Sequence, residues 1–381
     1  MPTLSTLPLR LSLRRSRHLG AAVLLSVAGL VSQGCESTPP PVEEELAAVD
    51  PSSWSGGWKF ERQVAQRPLG KDEAITPSGK ANLPDGDYLV LGDGRMFRAT
   101  GDAAMDLPQE MRGGGSWRGD DGGGTPGFLL DSVSQGIVIG TDDRTVVNSD
   151  ATLQTWPYRA VGPIIYDENA TTGTCTATMI GPRHAVTAAH CLHDNAGTWY
   201  WPLYFSPGHK GSGADRTPNG AYRKVVARYA RTHATAWDYA LLILEDKPET
   251  ANLGYLGFGW WTSDSFYQDR AMRVWGYPVW NNTCAASPLA SDDCGGYMYR
   301  SSCTISNTTS DVLYHKCDTQ GGNSGSAIQS YVGSDLYVLG VHKGYPDSTT
   351  NWGPRFTEQK IGDLCDWIEA WPSAYSTRAC N

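Results

Sequence analysis

Three short segments carry residue types that together can hydrolyse an amide. His190 follows the small residues Thr-Ala-Ala, Asp238 precedes an apolar run, and Ser324 lies in the string Gly-Gly-Asn-Ser-Gly-Ser. Amide hydrolysis by a serine needs a nucleophile, an imidazole that takes its proton, and a carboxylate that orients the imidazole. Glycines beside the serine let backbone N–H groups converge on one point, as an oxyanion hole requires. The ordered set predicts a His–Asp–Ser catalytic triad.

Each segment alone also has a plain structural interpretation, because His190 can be a core histidine, Asp238 a turn residue before a strand, and the glycine-rich string a linker. A metal site is a second alternative, since imidazole and thiolate bind zinc. Its candidate ligands are His184, His190, Cys191 and His193. A strand alternates its faces, so these side chains would not all converge on one ion. A non-catalytic, protease-like binding protein is a third alternative, and the intact triad positions argue against it.

In the order His, Asp, Ser, these segments resemble the chymotrypsin-like (trypsin-like) serine endopeptidases over nearly all of residues 137–381. Within that family the chain looks most like the bacterial glutamyl endopeptidase branch. The stretch 138–144 is similar to that branch's mature N-terminus, and Cys175-Thr176 with residues 179–182 is similar to its second strand. The resemblance implies an all-β fold of two six-stranded antiparallel β-barrels with a C-terminal helix and a site in the cleft between the barrels. It also implies a disulfide between Cys175 and Cys191.

The resemblance implies a role for each site residue. His190 is the general base and then the general acid, Asp238 orients it, and Ser324 is acylated. The backbone N–H groups of Gly322 and Ser324 form the oxyanion hole. Asn323 is a departure, because digestive members carry there an aspartate that pairs with the new N-terminal amine. Activation by that ion pair is therefore not expected. No cofactor and no metal are implied, and a structural calcium ion is not indicated.

Two residues give opposite indications of the bond that is cleaved. Asp318 lies where trypsin-like members bind the Arg or Lys of a substrate. His342 lies where the glutamyl branch binds an acidic side chain, with Thr319 as its hydroxyl partner. Glutamyl members can carry an Asp-Thr pair at the positions of Asp318 and Thr319, whereas trypsin-like members lack the histidine. We therefore expect cleavage after Glu or Asp, with cleavage after Arg or Lys as the alternative, and a plain strand-end histidine as the structural interpretation of His342.

The segments around these residues are short, rich in β-formers and bounded by turn residues, which is typical of closed or stacked β architectures. The predicted strands are residues 137–139, 163–166, 185–187, 224–227, 239–244, 272–275 and 336–341. One helical pattern stands at the C-terminus. Its apolar residues are Ile361, Leu364, Trp367, Ile368 and Trp371.

The first 136 residues are predicted to be export and activation segments. Residues 1–34 are typical of a signal peptide, with basic residues before an apolar run shorter than the ~20 residues of a membrane-spanning helix. Cys35 stands where bacterial lipoproteins carry a lipid-bearing cysteine, so lipidation stays an open alternative. Residues 35–136 are linker-like, with Pro-, Glu- and Gly-rich runs and a predicted hairpin at 87–97. We expect them to form a pro-segment and linker, with the mature peptidase domain beginning near Ile137.

Cysteine content and net charge indicate the compartment in which the protein acts and the partners that it binds. The chain has nine cysteines, and those other than Cys35 form an even set that indicates disulfides and export. Closure of short loops predicts the pairs Cys284–Cys294, Cys303–Cys317 and Cys365–Cys380. The net charge of −9, without a basic stripe, argues against a nucleic-acid partner. We expect protein or peptide substrates for a monomer that is secreted, or that is anchored at the cell envelope through Cys35.

Overall fold

The computed structural model describes residues 49–53, 57–68, 86–100, 136–166, 175–194, 197–211, 216–231, 235–247, 252–278, 296–371 and 380. Within these ranges no helix has both the length and the apolar character that crossing a membrane requires. The elements are mostly strands, as the sequence predicts.

The described residues before Gly136 include four strands. These strands are β1 (Trp58–Gln63), β2 (Gln66–Arg67), β3 (Asp87–Leu91) and β4 (Arg95–Ala99). The predicted hairpin is present, because β3 and β4 pair antiparallel on either side of a turn that contains Gly94. Gly94 has a φ of 88°, a left-handed conformation that glycine adopts without steric cost. Strand β1 pairs with β4 and extends this hairpin by one strand.

The first barrel is closed by six strands. Residues 145–244 form β5 (Thr145–Val147), β6 (Val161–Ile165), β7 (Cys175–Gly181), β8 (His184–Thr187), β9 (Trp199–Tyr200), β10 (Tyr204–Phe205), β11 (Arg223–Arg231) and β12 (Ala240–Leu244). The barrel order is β11, β10, β6, β7, β8 and β12, and β12 pairs back onto β11. Strand β12 is apolar at every position and buried throughout. Ala240 pairs with Thr187, so the residues that follow β8 and those that precede β12 lie at one end of the barrel.

The second barrel is built from the C-terminal half of the chain. The strands in this half of the chain are β13 (Gly257–Phe258), β14 (Ala271–Gly276), β15 (Met298–Thr308), β16 (Val312–His315), β17 (Ala327–Val332), β18 (Asp335–Val341), β19 (Gly344–Asp347) and β20 (Thr350–Pro354). The sheet runs β13, β18, β17, β14, β15, β16, β20 and β19, and β5 adds to β15. An isolated bridge between Gly340 and Arg355 joins the ends of β18 and β20. Six strands, β14 to β18 and β20, therefore enclose this barrel.

The C-terminal helix, Glu358–Ala370, begins one turn before its apolar pattern because the Thr357 side chain accepts the backbone N–H of Lys360. Trp367 of this helix stacks on Tyr229 and Tyr239 of the first barrel. Two further helices have four residues each, Asp150–Leu153 and Asp264–Tyr267. The remaining helical elements are 3-10 turns at Pro51–Ser53, Tyr158–Ala160, Ala189–Cys191 and Thr235–Trp237.

Of the strands predicted from the sequence, residues 137–139 are the ones that do not form a strand in the structure. This is because their backbone groups bond to side chains and to a loop instead of a neighbouring strand. The backbone N–H of Ile137 donates to Asn351 Oδ1, and that of Ile139 donates to Asp318 Oδ1. An apolar triplet alone does not show which of these arrangements the backbone takes.

Candidate active site

His190 and Asp238 meet at the end of the first barrel. His190 lies in the 3-10 turn that follows β8, and Asp238 lies two residues before β12. The ring Nδ1 of His190 is 2.7 Å from Asp238 Oδ2, and the backbone N–H of His190 donates to Asp238 Oδ1 at 2.9 Å. Their exposed fractions are 1% and 5%. Both carboxylate oxygens therefore hold one residue, which fixes the position of the imidazole.

A lysine shares this carboxylate. Lys343 Nζ lies 3.7 Å from Asp238 Oδ2, and Lys343 is itself buried. Burial alone raises the pKa of Asp238, but the charges of His190 and Lys343 and the hydrogen bonds from His190 outweigh it, so the pKa lies well below its ordinary value. Asp238 is thus ionised at neutral pH. Lys343 could not be predicted as part of the site, because no local pattern shows that its ammonium reaches a residue so distant along the chain.

Ser324 lies at the tip of the loop before β17, between two glycines with left-handed backbones. Gly322 has a φ of 93° and Gly325 a φ of 85°. A Cβ at Gly325 would lie 2.2 Å from both Thr176 O and Thr187 Oγ1, so the loop can approach β7 and β8 only with glycine there. Ser324 Oγ donates to the carbonyl of Lys343 at 3.3 Å.

His190 Nε2 is buried and has no hydrogen-bond partner among the described residues, so the Ser324 hydroxyl is not bonded to it in this structure. Hydrogen bonds between catalytic groups are often long in enzymes without substrate and tighten when the substrate binds.

Thr176 holds the serine loop from the first barrel. Its backbone N–H donates to the carbonyl of Ser324 at 2.8 Å, and its Oγ1 donates to the carbonyl of Gly322 at 2.9 Å. The same Oγ1 accepts the backbone N–H of Tyr277 at 2.9 Å. One threonine therefore satisfies three backbone groups in and around the loop that carries Ser324. Thr176 was not among the predicted site residues, because its partners lie far away along the chain.

Three of the predicted disulfides are present: Cys175–Cys191, Cys303–Cys317 and Cys365–Cys380. Cys284 and Cys294 lie outside the described residues. The Cys175–Cys191 disulfide joins β7 to the turn that carries His190, and it leaves no thiolate for the alternative zinc site. Burial, with the neighbouring Arg183 charge, lowers the pKa of His184 to about 3, as expected of a neutral core histidine.

His342 lies directly after β18, beside the serine loop. Its carbonyl accepts the backbone N–H of Gly325 at 2.9 Å, and its own N–H donates to Ser326 O at 2.8 Å. The ring Nδ1 of His342 is 3.2 Å from Nε2 of His315, and both rings are fully buried. Burial, followed by the neighbouring His342, holds the pKa of His315 well below its ordinary value, so His315 is neutral. His315 was not among the predicted site residues, because it lies on a different strand, β16.

Thr319 is fully buried, and its Oγ1 has no hydrogen-bond partner among the described residues, so Thr319 is not bonded to His342. The neighbouring Asp318 has both carboxylate oxygens engaged. Oδ1 accepts the backbone N–H of Ile139 at 2.7 Å, and Oδ2 accepts that of Asp143 at 3.0 Å. Asp318 thus holds the backbone of residues 139–143.

Comparisons with known proteins agree with this architecture. The family model described as Trypsin matches residues 146–368. The chain is 30% identical to glutamyl endopeptidase of Bacillus licheniformis over 239 residues, which are 60% of this chain and 68% of that protein. It is 25% identical over 245 residues to a Bacillus subtilis protein named extracellular metalloprotease, covering 62% of this chain and 72% of that one.

A solved structure described as Glu endopeptidase in complex with MPD superposes with a TM-score of 0.49 at 24% identity, over 61% of this chain and 100% of that one. The family match covers more than half of the present sequence, and the strand order closes a six-stranded antiparallel barrel. This chain belongs to the trypsin family and is a serine endopeptidase.

Proposed function

We propose that this protein is an exported endopeptidase that uses Ser324, His190 and Asp238 to cleave peptide bonds after Glu or Asp. The observation that carries the proposal is the buried pair of His190 and Asp238, in which both carboxylate oxygens bind one histidine. This geometry leaves His190 Nε2 as the ring atom that can exchange a proton with a substrate or a nucleophile.

The chemistry would proceed through an acyl-enzyme. Ser324 Oγ attacks the scissile carbonyl carbon while His190 Nε2 takes the hydroxyl proton, and the carbonyl oxygen becomes an oxyanion held by the N–H groups of Gly322 and Ser324. His190 then gives its proton to the leaving amine as the C–N bond breaks. A water molecule repeats the attack on the ester, again with His190 as the base, and releases Ser324. Asp238 stays ionised throughout and stabilises the imidazolium.

Acidic specificity is supported by the pair His315 and His342. With His315 neutral and its proton on Nε2, this N–H can donate to His342 Nδ1, so that His342 carries its own proton on Nε2 and can donate it to a substrate carboxylate. Thr319 offers a second donor, because its buried Oγ1 has no partner among the described residues. The alternative of cleavage after Arg or Lys receives less support, because Asp318 already accepts two backbone N–H groups. A relative named glutamyl endopeptidase agrees with the acidic choice.

The class of the reaction is tested by replacing Ser324. The change Ser324→Ala should lower kcat by about 10⁶-fold, the loss typical of a missing serine nucleophile. Its melting temperature should stay close to that of the parent, because one hydroxyl is removed and no packing is lost. A serine-directed acylating inhibitor should label the parent and not the variant. Activity within tenfold of the parent would contradict the triad, and a non-catalytic binding protein would show no turnover in either chain.

Specificity is tested with His342→Ala and matched Glu, Gln and Leu substrates. A charge-assisted hydrogen bond contributes about 1.5–3 kcal/mol, so kcat/KM for the Glu substrate should fall by at least ~10-fold while the Gln and Leu substrates change much less. A parent enzyme that prefers Arg or Lys, and that loses this preference in Asp318→Ser, would show that the acidic assignment is wrong.

Export and maturation complete the proposal. Residues 1–34 would be removed as a signal peptide, the catalytic domain would start near Ile137, and the product would act outside the cytosol as a monomer. The three disulfides support an oxidising compartment. N-terminal sequencing of active material checks the boundary, since a start before Asp131 would contradict it. Mass spectrometry of the residue at position 35 separates a lipid-anchored form from a released one.

A further inference from the structure

Strand β3, although it precedes the catalytic domain, is an internal strand of the first barrel's sheet. It pairs antiparallel with β11, from Leu91 opposite Ala227 to Asp87 opposite Arg231. Strand β10 covers only Arg223 and Lys224 of β11. The edge of β11 beyond these two residues is therefore completed by β3, whose other edge is covered by β4.

The strands before Gly136 are also part of the hydrophobic core. All five residues of β3 are buried, and Met96 and Phe97 of β4 are buried with them. Trp58 of β1 packs edge-on against Tyr229 of β11, whose other ring contact is Trp367 of the C-terminal helix. A strand buried on both faces exposes apolar surface on both sides when it leaves, so its removal is strongly unfavourable.

A buried ion pair adds to this contact. The Asp87 carboxylate accepts two hydrogen bonds from the Arg231 guanidinium, one of them from Nη2 at 2.6 Å. Arg231 also pairs with Asp363 of the C-terminal helix at 3.0 Å, and Asp363 accepts the hydroxyl of Tyr239 at 2.5 Å. Asp87 therefore links β3 to the barrel and, through Arg231, to the helix.

A second attachment lies beside the catalytic histidine. Strand β2 pairs parallel with β9, and the backbone N–H groups of Trp199 and Trp201 donate to Ala65 and Arg67. Tyr200, between them, donates its N–H to Leu192, two residues after His190. The chain that follows His190 is thus held by β2.

We propose that strands β1 to β4 are a permanent part of the mature enzyme, which is a complex of two chains cut from one precursor. After cleavage before Ile137, the N-terminal chain stays bound without a covalent link. Its strand β3 remains paired with β11, and its strand β2 remains paired with β9. This proposal rests on the maturation proposed above. It differs in that strands β1 to β4 are kept as a structural subunit and are not discarded as a pro-segment. The retained chain completes the barrel that carries His190 and Asp238.

The test uses the full chain with Ser324→Ala and a recognition sequence for an unrelated endopeptidase inserted at the glycine run 113–115. The added enzyme makes the cut, so the result does not depend on whether the parent has peptidase activity. After cutting, we expect both fragments to elute together in size-exclusion chromatography and to separate only in denaturant. Separate elution, with the larger fragment keeping its melting temperature, would overturn the proposal.

Two variants test the contact itself. Asp87→Ala leaves Arg231 with one buried carboxylate partner fewer, and breaking a buried ion pair should weaken the association of the cut fragments by about 100-fold or more. The matched control Glu61→Gln removes an exposed carboxylate from β1 and should leave the association unchanged. Equal association in the two variants would contradict the role of Asp87.

Should Asp87→Ala fail to fold, amide hydrogen exchange on the cut parent chain decides the question. Retained protection of the backbone amides at 227–231 supports the complex, and its loss on cutting overturns it.

Discussion

Thr176→Val tests whether one hydroxyl keeps the loop that carries Ser324 in place. Valine matches threonine in shape, so the change leaves the packing of β7 and removes only the hydroxyl. The carbonyl of Gly322 then loses a donor, and the backbone N–H of Tyr277 loses an acceptor. Each unsatisfied buried group costs about 1–3 kcal/mol, so the free energy of unfolding should fall by about 2–6 kcal/mol. At roughly 2–4 °C per kcal/mol for a domain of this size, the melting temperature should drop by roughly 4–24 °C.

Activity should fall as well, because Gly322 is both the residue whose carbonyl is released and a proposed oxyanion donor. Displacement of a positioned group by about 1 Å can cost about 100-fold in rate, so kcat/KM should fall by about 10- to 100-fold with little change in KM. The assay combines calorimetry with steady-state kinetics on one peptide substrate at temperatures where both proteins are folded.

Thr178→Val is the matched control. Thr178 lies two residues further along β7, on the same face and fully buried, yet its Oγ1 has no hydrogen-bond partner among the described residues. Replacing an unsatisfied buried hydroxyl by a methyl group should leave the melting temperature unchanged or raise it. Equal losses of stability and activity in both variants would refute the reasoning, because they would show that the packing of β7 matters and the hydroxyl of Thr176 does not.

Three further predictions concern charge and covalent links. Burial raises the pKa of Asp363 from 3.8 to about 7 despite the Arg231 charge. Protonation of Asp363 therefore adds to the free energy of unfolding below pH ~4, and this contribution is lost as the pH rises through about 7. Asp363→Asn should therefore flatten the fall in melting temperature between about pH 5 and 8, and an unchanged curve would count against this titration. Lys343→Met removes one of the two charges that hold the pKa of Asp238 well below its ordinary value, so the pH at which acid unfolds the protein should rise, whereas the exposed Lys316→Met should not move it. Peptide mapping without reduction should recover Cys284 linked to Cys294, and a free thiol at either position would show that this pairing is wrong.

Local patterns predicted those parts of the fold that depend on neighbours in sequence. The glycines around Asp93 predicted the turn between β3 and β4, and the apolar run after Asp238 predicted β12. The helical spacing of Trp367 and its neighbours predicted the C-terminal helix, whose first turn was missed because it depends on the cap at Thr357. The residues predicted as a triad came from ordered motifs, and the structure brings His190 and Asp238 into contact.

Local sequence patterns could not predict contacts between strands that are far apart along the chain. His315 and His342 are separated by 27 residues and meet only because β16 and β18 belong to one barrel. Lys343 reaches Asp238 from the other barrel, and nothing in its local sequence indicates this. The docking of the N-terminal hairpin joins Asp87 to Arg231, which lies 144 residues later. Which edge a hairpin joins is decided by shape and burial in the assembled barrel, not by local propensity.

Strand β3 covers one edge of β11, and this contact is lost when residues 137–381 are produced without the residues before them. A chain that starts at Ile137 would leave the edge of β11 at residues 227–231 without β3, beside the rings of Tyr229 and Trp367. An unpaired edge strand next to an apolar surface is a template for pairing with another molecule. Copies of the shortened chain should therefore associate edge to edge and precipitate as they are produced. Strands β1 to β4 would then act as a built-in solubility element, and coexpression of residues 35–136 as a separate chain should restore soluble protein.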